Sequence, residues 1–397
     1  MPRFWRQALA WGVLAFWLRL GSALLAFGYS GLVGAQGFFP LESGADDFQY
    51  FSYAVSISQG TAPVWYPTSY PLLLGTVFMV TGPCIWVGIL LSVMAGATCV
   101  TVGVLITGEF WNETSEKWNR LLHPGNVAGA LLCFYPSAFM WSLFMTRDTL
   151  LLLSALLSFY FAVRIVKRPR TCDFVLAGIS LVCFFDLRPY SCIGFVGAAI
   201  VYWSWVYRFK LLTRPPVLLA AAIAAVLLAN FAYSRYSGYL SADALENLRK
   251  TYSGGSSIGL TLDYTNPLTF AVSYAANCLY ILLSPVPWQV SKPQHAFALI
   301  ESIPMTFAFP VFVIGMWRTW HRRVYQSGFL LIVAAFQLML FGLLSDNAGS
   351  NARIRMFPYT LLVIYLLLHL KSVLIGVLQP ISKGHRKKTP RTDTMTQ

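Results

Sequence analysis

The chain is 397 residues long, 57% hydrophobic and only 11% charged, with a formal net charge of +14. Its mean hydropathy is +0.60, and apolar runs of roughly 17–25 residues recur from end to end, which excludes a soluble globular domain and predicts membrane-crossing helices. The basic excess does not point to nucleic acid, because it gathers at the ends of apolar runs: Arg3 and Arg6; Arg164, Lys167, Arg168 and Arg170; Arg208, Lys210 and Arg214; Arg318, Arg322 and Arg323. That is the positive-inside pattern, and it predicts an all-α polytopic bundle, residues 1–378, with both termini cytoplasmic. Residues 379–397 form a basic tail with Lys383, Arg386, Lys387, Lys388 and Arg391; it is expected to be disordered and to favour an anionic leaflet.

The first span, about 8–33, is longer than a signal-peptide core and reads as uncleaved. It runs outward and carries Arg19 about midway. Residues 34–70 are predicted as an outer loop with Glu42, Asp46 and Asp47, ending in the turn-rich TAPVWYPTSYP. The stretch 71–107 reads either as one span after a short helix or as pieces broken at Gly82-Pro83. The polar segment GEFWNETSEKWNRLLHPG is placed inside, where its Asn112 sequon has no role. Spans at about 125–145 and 148–166 form a hairpin with Arg147 and Asp148 at its outer turn. A second hairpin, about 173–187 and 190–207, has Asp186 and Arg188 there. A span near 212–233 leads to a long outer loop, 234–267, rich in Gly, Ser and Tyr. After an apolar stretch to Pro287-Trp288, the last spans lie at about 303–317, 326–344 and 357–378, with 345–356 as an outer turn. The total is ten to twelve crossings.

The seven cysteines are scattered in or beside apolar segments with no paired or zinc-like spacing, and read as small core residues. Sorted by this topology, nearly all acids fall at outer helix ends, together with Arg147, Arg188, Arg235, Arg249, Lys250, Lys292, Arg353 and Arg355. A transporter more often places its charges near the midplane; charges gathered at one face suggest a site working at that face. Asp46 and Asp47 form an adjacent acid pair that suits a general base or a divalent cation such as Mg or Mn, and a merely solvated acidic loop is the alternative. Arginine grips phosphate through a planar fork that keeps its charge. Outer aromatics, among them Phe48, Tyr50, Tyr53, Trp65, Tyr66 and Tyr70, suit a sugar groove and equally an interfacial anchor belt.

Several segments together resemble the GT-C superfamily of polytopic glycosyltransferases, nearest to bacterial family 39, protein mannosyltransferase-like members. They are GADDFQYFSYAVSISQG followed by YPTSYPLLLG, then FYPSAFMWSLFMTRDTLLLL, FDLRPYS, SPVPW and NAGSNARIRMFPY, in an order that spans about residues 8–370. The resemblance implies a sugar donor linked to polyprenyl phosphate and a small or lipid-linked glycan acceptor. It also implies a site on the outer face of a bacterial inner membrane. It implies that Asp46 or Asp47 is the catalytic base or a metal-linked carboxylate, with a possible divalent metal there, and that Arg188, Arg353 and Arg355 hold the donor phosphate. Tyr50, Tyr66, Arg147 and Asp148 are implied substrate contacts, although Arg147 with Asp148 also reads as a structural ion pair. Set against that resemblance, no soluble outer domain is expected after the membrane segments, and no WWDYG-like motif occurs in the sequence. The implied reaction is an inverting single displacement; the alternatives are a surface-polysaccharide polymerase or ligase using a lipid-pyrophosphate sugar, and a lipid-linked sugar flippase.

Overall fold

A computed structural model describes residues 2–33, 46–61, 68–111, 123–206, 262, 266–290, 293–322, 325–344 and 348–378. Glu42, Trp65, Tyr66, Lys292, Asp346, the span expected near 212–233, nearly all of the 234–267 loop and the basic tail lie outside them. Every regular element among the described residues is helical: α1 (Pro2–Val33), α2 (Asp46–Ser58), α3 (Tyr70–Thr81), α4 (Ile85–Phe110), α5 (Pro124–Cys133), α6 (Pro136–Trp141), α7 (Asp148–Lys167), α8 (Thr171–Leu187), α9 (Pro189–Val206), α10 (Pro267–Leu283), α11 (Pro293–Arg322), α12 (Tyr325–Leu344), α13 (Ala348–Ile354) and α14 (Met356–Leu378). Four of them, over Phe4–Tyr29, Ile85–Phe110, Asp148–Lys167 and Ala298–Trp317, are long and apolar enough to cross a membrane. The outward faces of these and neighbouring helices carry large apolar side chains such as Leu25, Val80, Val182 and Phe307, a surface suited to hydrocarbon and not to water.

Proline and glycine set the breaks. Gly82 closes α3 with φ +77 and its N–H on the Phe78 carbonyl at 2.9 Å, and Pro83 keeps that helix from continuing. The stretch 71–107 is therefore a short helix followed by the long α4. Pro136 breaks what reads in the sequence as one span over 125–145. Tyr135 ahead of it is extended, at φ −62 and ψ 111, because the proline ring crowds the helical conformation of its predecessor. The result is a ten-residue α5 and a six-residue α6, neither long enough to span alone. Pro189 acts in the same way on Arg188, which ends α8 at φ −157 and ψ 84.

Three further expectations are corrected. Asp46 and Asp47 are not in a loop: they form the first turn of α2, where backbone N–H groups and the helix dipole favour negative charge. The outer turn 345–356 contains a short helix, α13. The last spans also begin earlier than the hydropathy pattern suggests, with α11 starting at Pro293.

The core is organised around α4, which packs on α1, α5 and α7. Gly129 on α5 lets the Trp11 ring of α1 lie against the backbone, a place a Cβ would fill. On the other side α7 packs on α8, α9 on α12, and α12 on α14. The short α6 contacts α7, α11 and α13, so the Pro136 break sits where both halves of the bundle meet.

Candidate functional site

Three elements that begin or end at a break bring their charges to one place. Asp148 opens α7, Arg188 closes α8, and Arg353 lies in the last turn of α13. Arg188 Nη2 donates to Asp148 Oδ1 at 2.9 Å, and Arg353 Nη1 lies 3.8 Å from Asp148 Oδ2. Arg353 Nη1 also donates to Asp46 Oδ2. The four groups form a ladder of alternating charge, Asp46, Arg353, Asp148, Arg188. Their side-chain exposures fall along it, from 46% and 29% to 4% and 8%. A buried carboxylate is tolerable only when paired, and Asp148 has two cations.

Trp141, the last residue of α6, provides the floor under Arg353, with the guanidinium carbon 3.9 Å from the ring centroid. A planar cation on an aromatic face keeps its edge donors free for oxygen acceptors. Burial alone would pull the Arg353 guanidinium down; Asp148 and Asp46 offset that loss, and the net shift is upward. The half-buried Arg147 is also shifted upward against its own burial, by Tyr50, Asp148, Tyr190 and Asp46. No ion pair joins Arg147 to Asp148 among the described residues: Asp148 pairs instead with Arg188 and Arg353.

Asp47 is buried, and its Oδ1 accepts from the Phe48 N–H at 2.9 Å. Tyr50, one turn further along α2, is buried edge-on to Tyr70 with centroids 5.1 Å apart. Below the ladder lies a narrow cavity lined by Asp148, Arg188, Ser191, Gln337, Arg353 and Phe357. Gln337 Nε2 donates to the Ser191 carbonyl at 2.7 Å, which ties α12 to the start of α9. Asp186 accepts from the Ser69 N–H at 2.9 Å and so joins α8 to the entry of α3.

Arg355 belongs elsewhere. It is fully buried, and its guanidinium bonds the Ser284 and Ala298 carbonyls, the latter at 2.9 Å, and lies 3.5 Å from Glu301 Oε2. Glu301 also accepts from the Ser137 N–H at the start of α6. This second cluster ties α6, α10, α11 and the α13–α14 junction together, and it uses the donors that a phosphate would require. Arg19 stands apart too: buried in α1, it donates to the Ala15 carbonyl at 3.4 Å and lies 5.2 Å from the Phe139 ring centroid. Gly96 of α4 leaves room for it, since a Cβ there would lie 3.0 Å from Arg19 Nε.

Of the residues singled out in the sequence, Asp46, Asp148, Arg188 and Arg353 are thus brought into contact. Asp47, Tyr50 and Arg147 line the same region, Arg355 is directed away, and Tyr66 lies outside the described residues. Trp141 is the contributor that sequence reasoning missed; its place at the C-terminus of a Pro-initiated half helix was the available signal. Comparison with protein-family models, curated proteins and solved structures finds no match.

No three His, Cys, Asp or Glu side chains converge among the described residues. The outward acid of the pair, Asp46, already holds a guanidinium. That donor set fits an anion exchanging at Arg353 better than a divalent cation, and no step below is routed through a metal.

Proposed function

We propose that the chain is a multi-pass membrane glycosyltransferase. It transfers a sugar from a polyprenyl-phosphate-linked donor to the hydroxyl of a lipid-linked or small glycan acceptor, at the outer face of a bacterial inner membrane. The observation that carries this reading is the ladder of Asp46, Arg353, Asp148 and Arg188. It sets a half-exposed carboxylate beside an aromatic-backed arginine, at the ends of helices that are apolar along their lengths. The order of segments that resembles GT-C glycosyltransferases supports it further.

In this reading the acceptor oxygen attacks the anomeric carbon and the bond from that carbon to the phosphate oxygen breaks, with inversion. Asp46 or Asp47 takes the hydroxyl proton, and the electron pair leaves with the polyprenyl phosphate. Arg353, with Arg147 nearby, meets the charge that develops on the leaving phosphate, an electrostatic contribution that is commonly the largest in such reactions. Arg188 holds Asp148 in place at 2.9 Å, so that Arg353 is held from below.

The test is product formation in proteoliposomes from a defined lipid-linked sugar, with Asp46→Asn and Asp47→Asn made separately. At least one should lose more than about tenfold in turnover, roughly 1.4 kcal/mol in the barrier. Movement of labelled lipid across the bilayer with no new glycosidic bond would overturn the reading in favour of a flippase.

A further inference from the structure

Arg353 is held from three directions, and the three restraints differ in how firmly they are anchored. Trp141 lies beneath it at 3.9 Å and ends a helix whose Ser137 N–H, in the first turn, is tied to Glu301. Asp148, at 3.8 Å, is 4% exposed and fixed in turn by Arg188 at 2.9 Å. Asp46 is different: it is 46% exposed and is the first residue of α2. Arg353 is therefore the fixed point, and Asp46 is its movable partner.

Charge bookkeeping sharpens this. Among the described residues the site gathers Arg147, Arg188 and Arg353 against Asp46, Asp47 and Asp148, a balanced set. An anion that enters a balanced, partly desolvated site must displace one of the resident carboxylates or accept an unpaired charge. A carboxylate and a phosphate present the same pair of oxygens to a guanidinium fork, so one can replace the other on Arg353 without moving the arginine. Asp46 has solvent to enter; Asp148 and Asp47 are buried.

The geometry points to Asp46 as an internal stand-in on Arg353 for an anion of the phosphate class, so that binding of the anion and release of the Asp46 carboxylate are a single exchange. Identifying that anion as the carrier phosphate, and the freed carboxylate as a base, rests on the function proposed above; the exchange itself does not. Its consequence is order: the carboxylate stays neutralised by Arg353 until an anion arrives, then becomes available in the same site.

The experiment measures binding and needs no turnover. The full chain in nanodiscs is titrated with farnesyl phosphate and, separately, with inorganic phosphate, and farnesol serves as the uncharged control. Asp46→Asn should tighten binding of farnesyl phosphate by about fivefold, the upper end for loss of one competing part-exposed ion pair. Asp186→Asn removes an equal charge that accepts from Ser69 and takes no part in the ladder on Arg353, and should change affinity by less than about twofold, since a solvent-screened charge competes weakly. In an Arg353→Lys background the gain from Asp46→Asn should vanish, which assigns it to that arginine. A gain for farnesyl phosphate alone supports exchange with a lipid headgroup, and a gain for both probes supports exchange with free phosphate as well. Unchanged or weaker binding in Asp46→Asn, an equal gain in Asp186→Asn, or a gain that survives Arg353→Lys would each overturn the proposal. Exchange without glycosyl transfer leaves it standing and removes the enzyme reading; transfer without exchange does the reverse.

Discussion

Arg353 lies over Trp141, its guanidinium carbon 3.9 Å from the ring centroid, although the two residues are far apart in the sequence. The ring supports the guanidinium from one side, while Asp46 and Asp148 meet its Nη1. Trp141→Ala should leave the fold intact and weaken farnesyl phosphate binding by about three- to fivefold, matching roughly 0.5–1 kcal/mol for a cation on an exposed aromatic face. Trp141→Phe should retain most of the affinity. Titration of both variants, with size-exclusion profiles as the folding control, checks this.

Asp148 and Arg188 form the buried end of the ladder. Asp148→Asn strands a cation only 7% exposed and should destabilise the protein by about 3–5 kcal/mol, the usual cost of breaking one side of a buried pair. Asp148→Asn combined with Arg188→Met removes the stranded charge and should recover most of the loss. Thermal unfolding in detergent reads both; equal melting temperatures for single and double variants would show that the pair is not a unit.

The Glu301–Arg355 pair should act on stability and not on the donor. Glu301→Gln leaves Arg355 buried beside two carbonyls with no carboxylate, and a loss of about 3 kcal/mol or more is expected. The surviving folded protein should bind farnesyl phosphate within about twofold of wild type. A selective loss of affinity with an unchanged melting temperature would restore Arg355 as a phosphate ligand.

The pH response of the arginines follows from their sign. Arg147 is shifted upward by Tyr50, Asp148, Tyr190 and Asp46, and Arg353 by Asp148 and Asp46, in each case against burial. A cation raised above its unfolded value contributes fully below that value and is lost only as pH rises through the higher folded one. For arginine that window lies above about pH 12. Binding of farnesyl phosphate should therefore show no alkaline decline between about pH 7 and about pH 10, measured by the same titration at constant ionic strength.

Arg19 is a buried cation for which no carboxylate is found among the described residues. Replacing it with methionine, which fits the same elongated space beside Gly96 and Phe139, should be neutral or stabilising by up to about 2 kcal/mol. Chemical denaturation of the two proteins in the same detergent measures it. A large loss of stability would show that the contact with the Ala15 carbonyl and the Phe139 ring carries more than packing.

Hydropathy made the helical class legible because lipid permits so few alternatives to a helix. The breaks were legible where proline and glycine act through local sterics, as at Gly82-Pro83. Pro136 was legible as a residue, but its effect on the expected 125–145 span was not, since apolar composition continues across it. Asp46 and Asp47 were visible as rare acids, yet their place in the first turn of α2 was not, because the chain before them offers no periodic pattern.

By itself, the sequence determined an apolar, helical, proline-punctuated chain whose charges stand at helix ends. Those properties follow from composition and from neighbours within a few residues. Only the tertiary structure decided which charges meet. Asp46 and Arg353 are separated by 307 positions, and Arg353 and Arg355 by only two. Yet the first arginine faces a half-exposed site, while the second is sealed against Glu301. Pairing of this kind is set by which helix faces pack together and which side chains lose water, and local sequence carries no record of either.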